Sequence, residues 1–223
     1  MEQNITYTET SSSYSLSKVF AWLAGGLLFT LAIAFGMAYL VLPLLSVEVY
    51  LGILVASTIA LVIEVLVIQI VLFRGRHSLA IPYFLYAGTM GIFLSSIVIF
   101  FEVTTILYAF LITAGIFGIM AVYGAVTKNN LFSMGVFIGA VALGALVLSL
   151  INLFFFNEMI YWITSFAVFG VMILMVAYDV WRIKRILASV DSPNLSIYCA
   201  FQLYVDFIYL FIRILSIVAR SKK

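Results

Sequence analysis

Long apolar runs alternate with short polar breaks along almost the whole chain. A helix needs roughly 20 apolar residues to cross the hydrocarbon core of a bilayer, which is about 30 Å thick. Seven runs reach that length, at residues 19–42, 50–73, 79–101, 103–126, 131–155, 159–181 and 195–218. The third and fourth runs are separated only by the region around Glu102, so a count of six is the alternative. The pattern predicts an all-α integral membrane protein with seven transmembrane helices.

The two ends of the chain are more polar than the region between them. Residues 1–18 contain three consecutive serines and predict a mobile polar tail, and residues 219–223 a short basic one. A single transmembrane domain is predicted over residues 19–218. The first apolar run is long and is preceded by two glutamates, which is atypical of a cleaved signal peptide, so we expect it to remain in the mature protein.

Composition supports a membrane protein and excludes several other classes. Apolar residues make up 66% of the chain and charged residues 9%, a balance that a soluble domain of this length could not keep in solution. The net charge of +2 indicates no nucleic-acid partner. Cys199 is the single cysteine and lies in an apolar run, so it is expected to be a packing residue.

The basic residues predict the orientation of the chain. Lysine and arginine gather on the cytoplasmic side of a membrane protein. Loops on the side of the N-terminus carry Lys18, Arg74, Arg76, Lys128, Arg182, Lys184 and Arg185. The opposite loops carry Glu48, Glu102 and Glu158. The N-terminus is therefore predicted to be cytoplasmic. The basic C-terminal tail breaks this rule if the seventh run crosses completely, and a last helix that dips in and returns is the alternative.

Charged residues inside the apolar runs require an explanation. Inserting such a group costs at least about 2.5–3.5 kcal/mol at the centre of a transmembrane helix. Four positions stand out: Glu64, Asp179, Asp206 and Arg213. Asp206 and Arg213 are two helical turns apart on one face, and Gln202 precedes Asp206 by one turn. This polar stripe predicts that the last helix faces protein or a water-lined interior.

Asp179 and Asp206 lie on consecutive predicted helices and suggest a paired site. Two carboxyl groups in a low dielectric cannot easily both ionise, so a close pair would share one proton. The alternative is that Asp179 lies at the membrane edge and pairs with the basic residues that follow it. The predicted spans place Asp206 deeper than Asp179, so contact would require helix tilt or a cytoplasmic funnel.

Glu64 and Arg213 each have two interpretations. Glu64 is either a hydrogen-bonded acid that fixes helix packing or an oxygen ligand on a cation path. Arg213 is expected to be a counter-ion for an acidic residue rather than a direct participant in transport.

Three stretches of the chain resemble a known family. They are YGAVTKNNLFSMG at 123–135, YDVWRIKRI at 178–186 and LYVDFIYLFIRIL at 203–215. In this order and with this approximate spacing they resemble the transmembrane Bax inhibitor motif family. The resemblance is strongest over the C-terminal half of the chain.

The resemblance implies a seven-helix bundle, with the last helix central, that acts as a pH-sensitive calcium leak. Asp179 and Asp206 occupy the positions of the two-aspartate pH sensor found in bacterial relatives. On this basis we expect a protein that is not an enzyme and needs no cofactor. Its partners would be the lipid bilayer, protons and calcium, the permeant ion, which Asp179 and Asp206 would coordinate transiently. In a bacterium its location would be the plasma (inner) membrane.

Two other function classes compete with a leak. A regulatory membrane protein would bind another membrane protein and conduct nothing. An intramembrane aspartyl protease would also place two aspartates on consecutive helices. Asp206, however, lacks the flanking glycines of the protease motif, and no Pro-Ala-Leu element follows it.

Overall fold

The computed structural model describes residues 2–74, 78–189 and 192–221, with side chains described from residue 16 to residue 220 outside these gaps. These residues form helices and short connections, with no strand among them. A π-helical turn at Met37–Val41 and a 3₁₀ turn at Leu42–Leu44 follow the first helix. The α-helices are α1 (Glu2–Gly36), α2 (Val47–Arg74), α3 (Ala80–Phe100), α4 (Val103–Val126), α5 (Phe132–Phe155), α6 (Glu158–Ser189) and α7 (Pro193–Ser221).

Seven helices in the described ranges are long and apolar enough to cross a membrane, which confirms the predicted all-α class and the predicted number of spans. The alternative of six is wrong, because α3 and α4 are separate helices. The break between them consists of Phe101 and Glu102. At the end of α3, the amide of Phe101 donates a hydrogen bond to the carbonyl oxygen of Ile97. At the start of α4, the carbonyl oxygen of Glu102 accepts a hydrogen bond from the amide of Ile106.

Asparagine side chains accept hydrogen bonds from the first amides of α5 and α6. Asn157 Oδ1 accepts hydrogen bonds from the amides of Met159 and Ile160, at 2.9 and 3.2 Å. Asn130 Oδ1 accepts one from the amide of Phe132 at 3.1 Å. Such caps satisfy amides that have no partner in the first turn of a helix. They agree with the start of α5 just after the polar stretch 127–130 and the start of α6 just after Asn157.

The predicted end of the sixth span differs most from the structure. The hydropathy pattern ends at residue 181, but α6 continues to Ser189. Arginine and lysine are good helix formers, so they end an apolar run without ending a helix. Helix α1 begins at Glu2, within the segment predicted to be a tail. The mobility of residues 1–18 and the single domain over 19–218 stay predictions. Arg76, Lys222 and Lys223 lie outside the described residues.

Burial differs strongly between the helices. Half of the most apolar stretch of α7 is buried, against 44% for α3, 33% for α4 and 11% for each of the other spans. The central position of α7 stays a prediction. The other spans expose large apolar side chains such as Leu66, Leu143 and Phe154. In a membrane protein such surfaces can face lipid at no hydrophobic cost.

The chain divides into two compact units. Unit 1 comprises Met1–Leu107 and Ile186–Tyr204. In unit 1, α1 and α3 approach closely at Gly91, where an added Cβ would lie 2.8 Å from both the carbonyl oxygen of Thr30 and Cβ of Ile33. The Thr30 hydroxyl donates to the carbonyl oxygen of Ala87 at 2.9 Å and accepts from the Tyr204 hydroxyl at 2.6 Å. These bonds join α1, α3 and α7.

Unit 2 comprises Tyr108–Arg185 and Val205–Lys223. The ring of Phe207 on α7 packs against Phe110 and Phe117 on α4, with centroids 5.6 and 5.3 Å apart. Helices α4 and α6 also pack at a glycine, Gly124, where an added Cβ would overlap the backbone of Ala177. Unit 2 therefore holds both predicted aspartates on a tightly packed frame.

Candidate functional site

Asp179 on α6 and Asp206 on α7 are in direct contact within unit 2. Their carboxyl groups lie within hydrogen-bonding reach of each other. Asp179 is 6% exposed to solvent. An ionised carboxylate only accepts hydrogen bonds, so a bond between two carboxyl groups requires a proton on one of them. The structure thus brings together the two predicted residues as a pair that can hold one shared proton.

The predicted spans place Asp206 deeper in the membrane than Asp179, and the greater length of α6 removes this difference. Asp179 lies ten residues before the end of α6 at Ser189, and Asp206 lies thirteen residues after the start of α7 at Pro193. At about 1.5 Å per residue these distances are roughly 15 and 20 Å along the two helices. The aspartates are therefore at similar heights, and neither unusual tilt nor a funnel is needed for their contact.

A cavity adjoins the aspartate pair. It has a volume of about 560 Å³ and lies between α5, α6 and α7. Asp206 and Tyr209 line it together with mostly apolar residues, including Met172 and Met175. The Oδ2 atom of Asp206 is buried and has no hydrogen-bond partner in the described structure. The residue that carries this polar atom lines the cavity. The cavity is large enough for several water molecules, each of which occupies about 30 Å³ in the liquid.

Three basic residues follow Asp179 on α6, and two of them, Lys184 and Arg185, contact groups other than Asp179. Arg182 acts electrostatically on Asp179 from one helical turn away. Lys184 Nζ donates to the carbonyl oxygen of Ala125 at 2.8 Å, and the Arg185 guanidinium lies 4.1 Å from the ring centre of Trp181. The sequence leaves open whether Asp179 pairs with Asp206 or with the basic residues that follow it. In the structure Asp179 contacts Asp206 directly and is also close enough to Arg182 to be influenced by its charge.

The 123–135 stretch supports the helix that carries Asp179. A Cβ added to Gly124 would overlap the carbonyl oxygen of Ala177, and one added to Gly135 would overlap the ring of Tyr178. The Lys184 hydrogen bond to Ala125 is a third contact between the same two stretches. The stretches at 123–135 and 178–186, two of the three that carry the family resemblance, thus pack against each other beside Asp179.

Glu64 belongs to unit 1, on α2. Its Oε1 atom accepts a hydrogen bond of 2.8 Å from the Thr89 hydroxyl on α3. Its Oε2 atom is buried and has no hydrogen-bond partner among the described residues. The Thr89 bond agrees with a packing role, whereas the free carboxyl oxygen leaves a ligand position open. Both predicted roles of Glu64 stay predictions.

Arg213 lies in unit 2 against a backbone carbonyl instead of a described carboxylate. Its Nη2 atom donates to the carbonyl oxygen of Ser165 on α6 at 3.1 Å. Its Nε atom is buried without a hydrogen-bond partner in the described part of the chain. Among the described residues, no acidic side chain is in hydrogen-bond contact with Arg213, so its role as a counter-ion stays a prediction.

No group of three or more His, Cys, Asp or Glu side chains comes together among the described residues. The aspartate pair supplies two carboxyl groups and up to four oxygen atoms. Oxygen is the ligand atom that calcium prefers, but calcium takes six to eight such ligands. The pair alone could contribute only part of a coordination shell.

The family model for inhibitor of apoptosis-promoting Bax1 (Bax1-I) matches residues 13–223 of this chain. The chain belongs to the Bax1-I family. The resemblance predicted from three sequence stretches is thereby confirmed, and it extends over the N-terminal half as well. Together with the seven spans, membership shows a multi-pass integral membrane protein.

Bacterial proteins are similar to this Bax1-I family member along much of their length. The inner membrane protein YbhL of Escherichia coli (strain K12) is 30% identical over 216 residues, which cover 93% of this chain and 92% of YbhL. A protein of Rickettsia prowazekii is 34% identical over 155 residues, or 66% of each chain. A membrane protein of Streptococcus pyogenes serotype M3 is 34% identical over 154 residues, again 66% of each chain.

Sequence reasoning missed the partners of the predicted residues. Thr89, Ser165 and Tyr209 were not candidates, although they contact or adjoin Glu64, Arg213 and Asp206. Tyr209 follows Asp206 by one helical turn, so its place on the same face could have been found from spacing. Thr89 and Ser165 belong to other helices, and no local sequence signal indicates them.

Proposed function

We propose that this Bax1-I family protein is a calcium-permeable leak channel whose conducting state depends on proton occupancy of the Asp179–Asp206 pair. The observation that supports it most is the contact between the two carboxyl groups, which are close enough to share one proton. The adjoining cavity at Asp206 supports a water-accessible position for that proton. The family resemblance supports the choice of calcium.

Proton occupancy changes the force between α6 and α7 at the pair. With one proton present, the carboxyl groups attract each other through a hydrogen bond. Loss of that proton leaves two negative charges in a low dielectric, where their repulsion is much stronger than in water. A free-energy difference of about 1.4 kcal/mol between two arrangements changes their population ratio tenfold, so one proton suffices for a gate.

Calcium is the permeant ion in this proposal and is bound only in passing. The aspartate pair would supply carboxylate oxygens, and water would complete the shell of six to eight ligands. Weak and partial coordination permits conduction, because a tightly held ion would not leave. The mechanism uses no enzymatic step and no cofactor, and its partners are the bilayer, calcium and protons.

The proposed location is the plasma (inner) membrane, which is supported by the similarity to the inner membrane protein YbhL of Escherichia coli. The proposed orientation places the N-terminus in the cytoplasm, because the basic residues near the span ends are predicted on the same side as the N-terminus and such residues gather in the cytoplasm.

The decisive experiment is calcium flux into liposomes that contain only the purified protein, measured at several pH values. We expect flux above that of protein-free liposomes, with a clear dependence on pH. Flux equal to that of protein-free liposomes at every pH would contradict the leak and favour a non-conducting regulatory protein.

An aspartyl peptidase is the second candidate, because its two carboxyl groups also share one proton. The contact between the carboxyl groups of Asp179 and Asp206 is the observation that favours it. Membership of the Bax1-I family over residues 13–223 favours the leak instead. Incubation with transmembrane peptides separates the two, since only a peptidase would yield cleavage products that disappear in Asp179→Asn.

A further inference from the structure

A second cavity in unit 2 lies at the opposite end of α6 and α7 from their connection. It has a volume of about 430 Å³ and is formed by the first turns of α6 and the last turns of α7. Two arginines, Arg213 and Arg220, line it on α7. The remaining lining residues are aromatic, hydroxyl-bearing or apolar, with Tyr161, Trp162 and Ser165 on α6 among them.

The two arginines act on the same part of the cavity. They are seven residues apart, which places them two turns apart on one face of α7. The Arg220 side chain lies within hydrogen-bonding reach of the Tyr161 hydroxyl, and the charge of Arg213 also acts on that hydroxyl. Both arginines and Tyr161 thus line one cavity, although the two arginine α-carbons are about 10 Å apart along the helix.

The positive charges in this cavity have no described negative partner lining it. No Asp or Glu is among its lining residues. Arg213 has its Nη2 atom on the Ser165 carbonyl oxygen, while its buried Nε atom has no hydrogen-bond partner among the described residues. Arginine stays ionised in proteins, and a charge inside a span is costly unless it is compensated. A bound anion would provide that compensation.

The surroundings indicate which anion fits. A guanidinium presents a planar fork of donors that matches phosphate oxygens. The cavity lies at a span end, where tyrosine and tryptophan prefer the level of the lipid headgroups. Three apolar lining residues are also well exposed, namely Trp162 at 49%, Phe166 at 65% and Ile217 at 47%. A ligand with a phosphate and attached acyl chains satisfies both the charged and the exposed apolar parts.

We propose that Arg213 and Arg220 bind the phosphate of a phospholipid headgroup in this cavity, while its acyl chains lie along Trp162, Phe166 and Ile217. The site is separate from the aspartate pair and does not depend on the proposed calcium leak. Lipid bound there would join the start of α6 to the end of α7.

The test is calorimetric titration of the purified full-length protein in detergent with dioctanoyl phosphatidylglycerol. Dioctanoylglycerol, which lacks the phosphate, and inorganic phosphate are titrated in parallel. We expect the phosphatidylglycerol to bind at least about tenfold more tightly than either, because charge-assisted hydrogen bonds and apolar contacts both contribute. Arg213→Gln and Arg220→Gln should each weaken its binding about tenfold or more.

Arg74→Gln is the matched control, since Arg74 is an exposed arginine on α2 outside this cavity. It should leave phosphatidylglycerol affinity within about twofold of wild type. Equal affinity in wild type and both arginine variants would overturn the proposal. Inorganic phosphate bound as tightly as the lipid would also overturn it and indicate a free-anion site. If Arg213→Gln does not fold, Arg220→Gln decides, because the Arg220 side chain is exposed.

Discussion

The α-carbon of Gly124 on α4 lies against the backbone carbonyl group of Ala177 on α6. The approach is so close that a Cβ at position 124 would overlap the carbonyl oxygen. Small residues permit such backbone contacts between transmembrane helices. Ala177 precedes Asp179 by two residues, so this contact fixes the part of α6 that presents the aspartate to α7.

Gly124→Ala should therefore destabilise the protein. The added methyl group must displace backbone rather than a flexible side chain, and overpacking of this kind costs about 1–3 kcal/mol. We expect a lower melting temperature in detergent. Gly118→Ala on the same helix is the control, because nothing lies within 4 Å of its added Cβ. Alanine is also the better helix former there, so the control should be neutral or stabilising. Equal melting temperatures for the two variants would contradict the close contact.

Asp179→Asn and Asp206→Asn should each flatten the pH dependence of calcium flux. An asparagine carries no charge, so ionisation of the remaining aspartate no longer creates two negative charges that repel each other. The measurement is flux through reconstituted protein over about pH 5 to 8, a range that coupled buried carboxyl groups can reach. Glu48→Gln provides the control, since Glu48 lies at the exposed start of α2. It should keep the wild-type profile.

The double variant tests whether the two aspartates act as one unit. Residues that share a single function give non-additive effects, so Asp179→Asn/Asp206→Asn should change the flux profile little more than the stronger single variant. Two single variants with the wild-type profile, or effects that simply add, would exclude a shared switch. Asp179 would then be an acid paired with Arg182.

Glu64→Gln should lower calcium flux while changing the melting temperature little, if Glu64 lies on the cation path. Glutamine keeps a carbonyl oxygen that can accept the Thr89 hydrogen bond, so the α2–α3 contact is retained. Thr89→Val removes that bond instead and serves as the packing control. The packing role predicts the reverse result: Glu64→Gln would keep wild-type flux, and Thr89→Val, which breaks the bond, would lower the melting temperature.

Single cysteines should report the orientation of the chain. In a Cys199→Ser background, Lys128→Cys and Asn157→Cys lie in the connections before α5 and α6, which a full crossing of α5 places on opposite sides. A membrane-impermeant thiol reagent should therefore label them from opposite sides. Labelling of both from one side would contradict the span assignment. Ser221→Cys, at the end of α7, should label from the same side as position 157 if α7 crosses completely.

The sequence alone determined the class, the seven spans and the two aspartates of the pair. Hydropathy over about 20 residues is a local property, and each transmembrane helix satisfies its backbone hydrogen bonds within itself. The spans could therefore be found without knowing their neighbours. The end of α6 was missed because Arg182, Lys184 and Arg185 end the apolar run but continue the helix.

Only the tertiary structure decided which groups meet. Glu64 with Thr89 and Arg213 with Ser165 join residues on different helices, 25 and 48 positions apart. Lipid-facing and protein-facing sides of a transmembrane helix are both apolar, so hydropathy does not give the rotation of a helix about its axis. Close backbone approaches such as Gly124 to Ala177 set that rotation, and with it the direction in which each costly polar side chain points.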